Sequence, residues 1–309
     1  MASNKAKKMY SKKSIKQILS QHEYLENIPP EGLFINGKPA VTGIDTSKVG
    51  EFVILTVRDA LCAYGDDPAI VLSEKLKDVE CIGKTEMFTS YSGFYKDAHI
   101  TIVSGGSGSP EMEMILYDYM QHTNAGTYLR VGGSGGFGDD VEPGDIVISS
   151  GALRAEGMTQ AYIEAGYPAA SHYEVVCAMV EAAENIACRY HVGVTLSGDS
   201  DYVGCGRIGF GGYMQPWNIE KVGIYNRAGI LNGDRESSAI ITLSSLFGFR
   251  GGSVCSVSDN ICTGKPFTAG VGHNYAMDIA LEACSIMNEF DKQKNKHNKK
   301  YWYPNIDRK

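Results

Sequence analysis

From Glu51 onward, short apolar runs rich in β-branched residues alternate with longer stretches of helical period, and this alternation is the strongest constraint on what the chain can fold into. Phe52–Val57, Ile100–Val103, Thr127–Val131, Asp145–Ser149, His191–Ser197 and Ser253–Val257 read as strands. Ala69–Lys77, Pro110–His122, Tyr173–Tyr190, Ile219–Ala228, Arg235–Phe247 and Tyr275–Lys292 carry apolar positions near a 3.6-residue period and read as helices. Strands that alternate with helices bury their apolar faces by stacking in layers, so an α/β architecture is expected. No Pro/Gly/Ser-rich linker splits the chain and no internal repeat is visible. One domain over 46–292 is expected. It follows an extension over 1–45, with a weak helix around Ser14–His22, and precedes a basic tail over 293–309.

At 309 residues and 43% hydrophobic content the chain is long enough to bury a sizeable core. The net charge is −7, and much of the positive charge sits near the ends, in Lys5, Lys7, Lys8, Lys12, Lys13 and Lys16 and in Lys292, Lys294, Lys296, Lys299 and Lys300. The body is therefore acidic, which argues against a broad nucleic-acid surface. No segment approaches the roughly 18 apolar residues of a membrane span, and the N-terminus lacks a continuous apolar run, so a soluble cytoplasmic protein is expected. The eight cysteines are scattered without a CxxC pair, so no zinc knuckle, no metal site and no disulfide framework is expected.

Four constellations carry chemistry. Leu129-Arg130-Val131-Gly132-Gly133-Ser134-Gly135-Gly136 brings an arginine into a run of small residues, where backbone N–H groups can approach an anion closely before a turn leads into the next strand; the plain alternative is a glycine-rich turn with a solvated arginine. Gly233-Asp234-Arg235-Glu236-Ser237-Ser238 enters a helix. Its acids either cap that helix or, in the case of Glu236, accept hydrogen bonds from a vicinal diol such as a ribose. Ser197-Gly198-Asp199-Ser200-Asp201-Tyr202 leads into Gly204-Cys205-Gly206-Arg207, which offers a planar guanidinium on a tight turn. Val257-Ser258-Asp259-Asn260 puts an acid at a strand's C-terminal end, where α/β ligand sites gather, although an Asx turn explains it equally well. Gly105-Gly106-Ser107-Gly108-Ser109-Pro110 marks a close backbone approach without the full dinucleotide spacing. Phe94, Tyr91, Phe210, Tyr213 and Trp217 are candidates for a stacking wall, although aromatics in such runs more often pack in a core or a loop, and no histidine is assigned to catalysis.

In this order the constellations resemble the nucleoside phosphorylase superfamily, and within it the uridine phosphorylases, from about Glu51 to Met287. Leu129–Gly136 looks like the family's R-[IV]-G-[TS]-[TS]-G-G/A phosphate segment, Gly204–Arg207 is similar to its G-Q-G-R base-recognition turn, and Asp234–Ser238 stands where the family has E-M-E-S-[AS]. The resemblance implies a single three-layer α/β/α domain around a mixed, partly barrel-like sheet. It implies reversible phosphorolysis of a nucleoside to free base and ribose 1-phosphate, with inorganic phosphate as co-substrate and no cofactor, in a homo-oligomer whose minimal unit is a dimer. Arg130, Glu236 and Arg207 would be the catalytic set. Arg130, Gly132, Gly133 and Ser134, with Arg58, would hold phosphate; Glu236, Arg235 and Asp234 would line the ribose; Arg207, Cys205 and Asp259 would meet the base.

The sequence also departs from the family. The first strand runs into Thr56-Val57-Arg58-Asp59-Ala60-Leu61 where a G-D-P-x-R loop is expected, and the arginine lent across a subunit interface falls near Glu86, with Lys84 the closest cation. Cys205 replaces a glutamine, Arg235 a methionine and Gly133 a threonine, and no histidine stands near Val41 or Thr42. V-S-D-N resembles the V-S-D-H of purine nucleoside phosphorylases, whose aspartate protonates the departing purine. A purine nucleoside phosphorylase, a nucleosidase and a non-catalytic nucleoside-binding relative are the alternatives to a uridine phosphorylase.

Overall fold

The computed structural model describes residues 32–59 and 62–307, so the helix expected around Ser14–His22 lies outside the described residues. A two-residue hairpin, β1 (Phe34–Ile35) against β2 (Lys38–Pro39), leads into one ten-stranded sheet. Its strands are β3 (Phe52–Val57), β4 (Lys77–Lys84), β5 (Thr89–Tyr95), β6 (Ala98–Gly105), β7 (Thr127–Gly136), β8 (Ile146–Ala155), β9 (Ala169–Ala170), β10 (Tyr190–Gly198), β11 (Ile230–Asp234) and β12 (Arg250–Asn260). The order is β11-β10-β8-β12-β7-β3-β6-β5-β4, and β11 also pairs with β7. That last pairing closes β7, β11, β10, β8 and β12 into a barrel. The strands β3, β6, β5 and β4 extend from it as an open wing, and the sheet mixes parallel and antiparallel pairs.

The helices are α1 (Pro68–Ser73), α2 (Ser109–His122), α3 (Met158–Tyr162), α4 (Tyr173–Ile186), α5 (Pro216–Arg227), α6 (Ser237–Phe247) and α7 (His273–Lys296). Strand period two sends side chains to both faces. Phe52 and Ile54 of β3 enter a core with Leu72, Met179, Ile279 and Cys284 from α1, α4 and α7. Val53, Leu55 and Val57 enter a second core with Met112, Ile115 and Tyr119 of α2 and Ile240 and Leu243 of α6. A sheet buried on both faces is the middle of three layers, as the family resemblance implies.

The structure differs from the sequence reading in several places. The helix expected over Ala69–Lys77 stops at Ser73, because Lys77 already opens β4. α4 ends at Ile186, where Ala187 takes a left-handed conformation (φ 58°) that frees Tyr190 to start β10. β4, β5 and β11 were not expected as strands. The glycine run is itself strand: β7 continues through Gly136, with Gly135 opposite Gly233 and Gly136 opposite Asn232. Side chains there would block closure, since a Cβ on Gly136 would lie 2.9 Å from the Asp259 carbonyl oxygen. Within 293–309, α7 continues to Lys296, and Trp302 stacks on Phe290 with ring centroids 3.7 Å apart.

Candidate active site

Beyond the C-terminal ends of β3, β6, β7 and β12, a cavity of about 480 Å³ opens. Parallel strands of α/β sheets gather ligands at this end. Arg58 and Asp59 line it after β3, Ser107 after β6, Gly133–Gly136 along β7, Asp234, Arg235 and Glu236 at the end of β11, Ser258 and Asp259 on β12, and Asp201, Cys205 and Arg207 from the segment after β10.

At its floor Arg130 is 2% exposed. Its Nε lies 3.0 Å from Glu236 Oε2 and 2.9 Å from Asp234 Oδ2, and its Nη2 donates to Glu236 as well. The other oxygen of Glu236 accepts from the Gly108 N–H (2.7 Å) and the Ser107 hydroxyl (3.1 Å). Asp234 accepts from the Ser197 and Ser237 hydroxyls (2.6 and 2.5 Å) and from the Ser237 N–H (3.2 Å). Asp234 therefore caps α6 as the plain reading of this segment expects, whereas Glu236 turns away from the helix toward the β6 loop.

Burial opposes charge on all three groups, and the pairing decides the outcome for each. Burial works against the Arg130 cation, but Glu236 and Asp234 overcome it and raise its pKa. Burial likewise disfavours the Glu236 carboxylate, yet Arg130 and the Gly108 N–H hold its pKa below the usual value. At Asp234 burial prevails over Arg130, with Glu236 adding to it, and the pKa rises. The pair titrates as a unit, with Glu236 the firmly ionised member.

Among the other lining residues, Arg207 Nη2 lies 2.5 Å from Asp259 Oδ2, and Arg235 Nη1 lies 3.0 Å from Asp201 Oδ2. The Cys205 thiol donates to the Ser200 carbonyl (3.1 Å), and burial pushes its pKa up. Gly132 does not line the cavity, but Arg130 folds directly over it: a Cβ there would lie 1.7 Å from Nη1. Ser134 donates to the Ser256 carbonyl (2.8 Å) and accepts from Asn232 (2.9 Å). Arg58 reaches the cavity, while its guanidinium donates to Asp67 (2.9 Å), the Met87 carbonyl (2.9 Å) and Thr89 (2.6 Å). Asp67 belongs to Gly65-Asp66-Asp67-Pro68, a stretch closer to the G-D-P pattern than Thr56–Leu61, with Ile70 where an arginine would stand.

Phe137 and Phe267 line the cavity, whereas Tyr91 and Phe94 stand on β5 of the wing and Phe210, Tyr213 and Trp217 are exposed. Cys62 is a lining residue that the sequence reading did not single out; burial pushes it up to about 11, so it stays protonated. His273 sits behind the cavity, bonded to Ser256 (3.1 Å) and Tyr64, and burial with the Arg130 charge lowers it to about 4. Thr42 is wholly buried against Asp118 (2.8 Å).

The sequence model of the phosphorylase superfamily matches residues 60–285. This chain belongs to that superfamily. Its relatives include a uridine phosphorylase of Thermococcus kodakarensis, 34% identical over 219 residues that cover 71% of this chain and 78% of the relative. A uridine phosphorylase of Haemophilus influenzae is 28% identical over 61% of this chain and 75% of its own. A guanosine phosphorylase of Halorubrum lacusprofundi is 28% identical over 64% of this chain and 78% of its own. Family membership and the barrel-centred α/β fold thus agree with what the motifs implied.

Proposed function

We propose that this chain is a uridine phosphorylase, cleaving uridine with inorganic phosphate to uracil and ribose 1-phosphate. One observation carries the reading: Arg130, Glu236, Arg207 and Asp259, drawn from four separate segments, open onto a single cavity large enough for a nucleoside beside an anion. The names of two of the relatives agree with it. Phosphate would sit on the glycine strand, against Arg130, Gly132, Gly133 and Ser134; Arg58 would join only after releasing Asp67. The ribose hydroxyls would exchange for the Ser107 hydroxyl on Glu236, beside Arg235 and Asp234. The base would face Arg207, Asp259 and Cys205.

Breaking the N-glycosidic bond builds positive charge on the sugar and negative charge on the departing base. A phosphate dianion beneath the sugar and a guanidinium facing the base both gain strength as these charges develop, which lowers the barrier rather than merely tightening binding. No protein nucleophile is required. The same reading takes the working enzyme to be a cytoplasmic homo-oligomer with a dimer as its minimal unit. Asp259 beside Arg207, together with the guanosine phosphorylase relative, favours a second reading in which a 6-oxopurine is the base.

Phosphate-dependent release of uracil from uridine is the expected result, and Arg207→Ala should lower kcat/KM for uridine by about 100-fold, the scale of a lost charged hydrogen bond in a dry site. Release of hypoxanthine without uracil would move the assignment to the purine branch, phosphate-independent cleavage to a nucleosidase, and binding without product to a non-catalytic relative. Gly132→Ala tests the anion seat. Its methyl group would push Arg130 off the two carboxylates. We expect the KM for phosphate to rise at least about tenfold and stability to fall by about 1–3 kcal/mol, as for other overpacked sites. An unchanged phosphate KM would separate Arg130 from the anion.

A further inference from the structure

The two charged groups at the base end of the cavity are arranged to do more than neutralise each other. Arg207 is held at two points, Nη2 on Asp259 Oδ2 at 2.5 Å and Nη1 on the Asp201 carbonyl at 3.2 Å. A guanidinium has five N–H donors in a fixed plane, so three remain for a ligand. Asp259 offers the complementary group. Its Oδ2 takes Arg207, while among the described residues no hydrogen bond engages Oδ1. That oxygen lies over Gly135, where a Cβ would come within 2.8 Å of it, so the glycine leaves room for it at the cavity wall. The neighbouring thiol of Cys205 is turned to the Ser200 carbonyl and competes for neither role. Phe137, Ile261 and Phe267 supply apolar surface around the pair.

Resting on the proposed nucleoside phosphorolysis, we propose that Arg207 and Asp259 form one donor–acceptor reader for the imide edge of a uracil-type base, with Asp259 accepting the ring N–H and Arg207 donating to the adjacent carbonyl. Uracil presents C=O, N–H and C=O along that edge. Cytosine presents a bare ring nitrogen in the middle, whose lone pair would face a carboxylate, and an amine where uracil has its second carbonyl. Asp259 is on this account a specificity determinant and not the acid that protonates the leaving base.

The wild-type protein tests this with two readouts, kcat/KM in phosphate for uridine, 3-methyluridine and cytidine, and calorimetric binding of uracil, 3-methyluracil and cytosine, which needs no turnover. A site built to bond an N–H rejects analogues that lack it strongly. Both analogues are expected at least about 100-fold below the uracil compound in each readout. Either analogue within tenfold would overturn the reader while leaving phosphorolysis standing. Discriminating binding without phosphate-dependent cleavage would sink the enzymatic reading and keep the reader, and failure of uracil to bind would sink the reader. Asp259→Asn adds a variant whose amide, with its oxygen on Arg207, turns an N–H toward the base. The uridine to cytidine ratio should fall at least about tenfold, whereas a parallel loss on both substrates, as expected of a general acid, would overturn the assignment. If that variant does not fold, the wild-type series still decides.

Discussion

Replacing Arg130 by glutamine is expected to bring phosphorolysis down by at least about 10³-fold in kcat/KM and to lower stability by about 3–5 kcal/mol. The first figure follows from removing a wholly enclosed cation at the proposed anion seat, comparable to deleting a preorganised donor in a dry site. The second follows from what the arginine leaves behind, since Asp234 and Glu236 are both buried and would share a site without a counter-ion. Thermal melting with and without phosphate checks both: the midpoint should fall, and the upward shift that phosphate gives the wild type should vanish. The deficit should also shrink on acidification. Without Arg130 the carboxylates are held at raised pKa in the folded state, which therefore binds protons more readily than the unfolded chain and regains stability as pH falls. The native protein behaves oppositely at Glu236. Its folded pKa is depressed, so the stability it contributes is present above the unfolded value near 4.5 and is lost as pH falls through the folded one. A variant that melts like the wild type and still responds to phosphate would show that the carboxylates do not depend on Arg130.

The layers were legible in the sequence because the central strands are buried on both sides. Phe52–Val57 reads as a strand from β-branched and apolar content alone, and its two faces do fill two different cores. The wing was not legible for the converse reason. Lys77–Lys84 is mostly exposed and carries four charged residues, and Thr89–Tyr95 mixes hydroxyls, a glycine and aromatics, so neither shows the apolar signal of a central strand. Barrel closure was legible only through the family resemblance and not from local pattern, because glycine backbone makes it, at Gly135 and Gly136, and a run of glycines reads as a turn.

At the site, residue type with local context identified Arg130, Glu236, Arg207 and Asp259, and the fold brings them together although Arg130 and Glu236 lie 106 positions apart. Register could not be read the same way. The aromatic candidates rested on residue type alone, whereas the aromatics that line the cavity are Phe137, just after β7, and Phe267. Arg58 is tied to Asp67 nine residues away by a contact that only the loop after β3 creates. Ser107 and Asp201 stood within segments that the sequence singled out, but neither was given a role of its own. Their importance comes from what they touch, Glu236 in one case and Arg235 in the other.

Glu236→Gln separates the two roles that the proposed function gives this carboxylate, and the nature of the sugar is the probe. Glutamine keeps the shape and one carbonyl oxygen, but it loses the charge that grips Arg130 through Nε and Nη2, so a loss common to all substrates is expected from a loosened anion seat. A second loss is specific to the 2′-hydroxyl, because a donor hydroxyl that bonded a carboxylate now meets a neutral amide, and hydrogen bonds to charged groups are worth about 1.5–3 kcal/mol. For uridine the combined fall in kcat/KM is expected to reach about 10³-fold. 2′-Deoxyuridine should lose the common part alone, which raises the deoxy to ribo ratio at least about tenfold, a difference that steady-state kinetics on the two substrates reads directly. The ratio is the informative quantity, since any disturbance of folding or of Arg130 cancels in it. Equal losses on the two sugars would leave Glu236 as the counter-ion of Arg130 and nothing more, and the diol would have to be held elsewhere in the cavity.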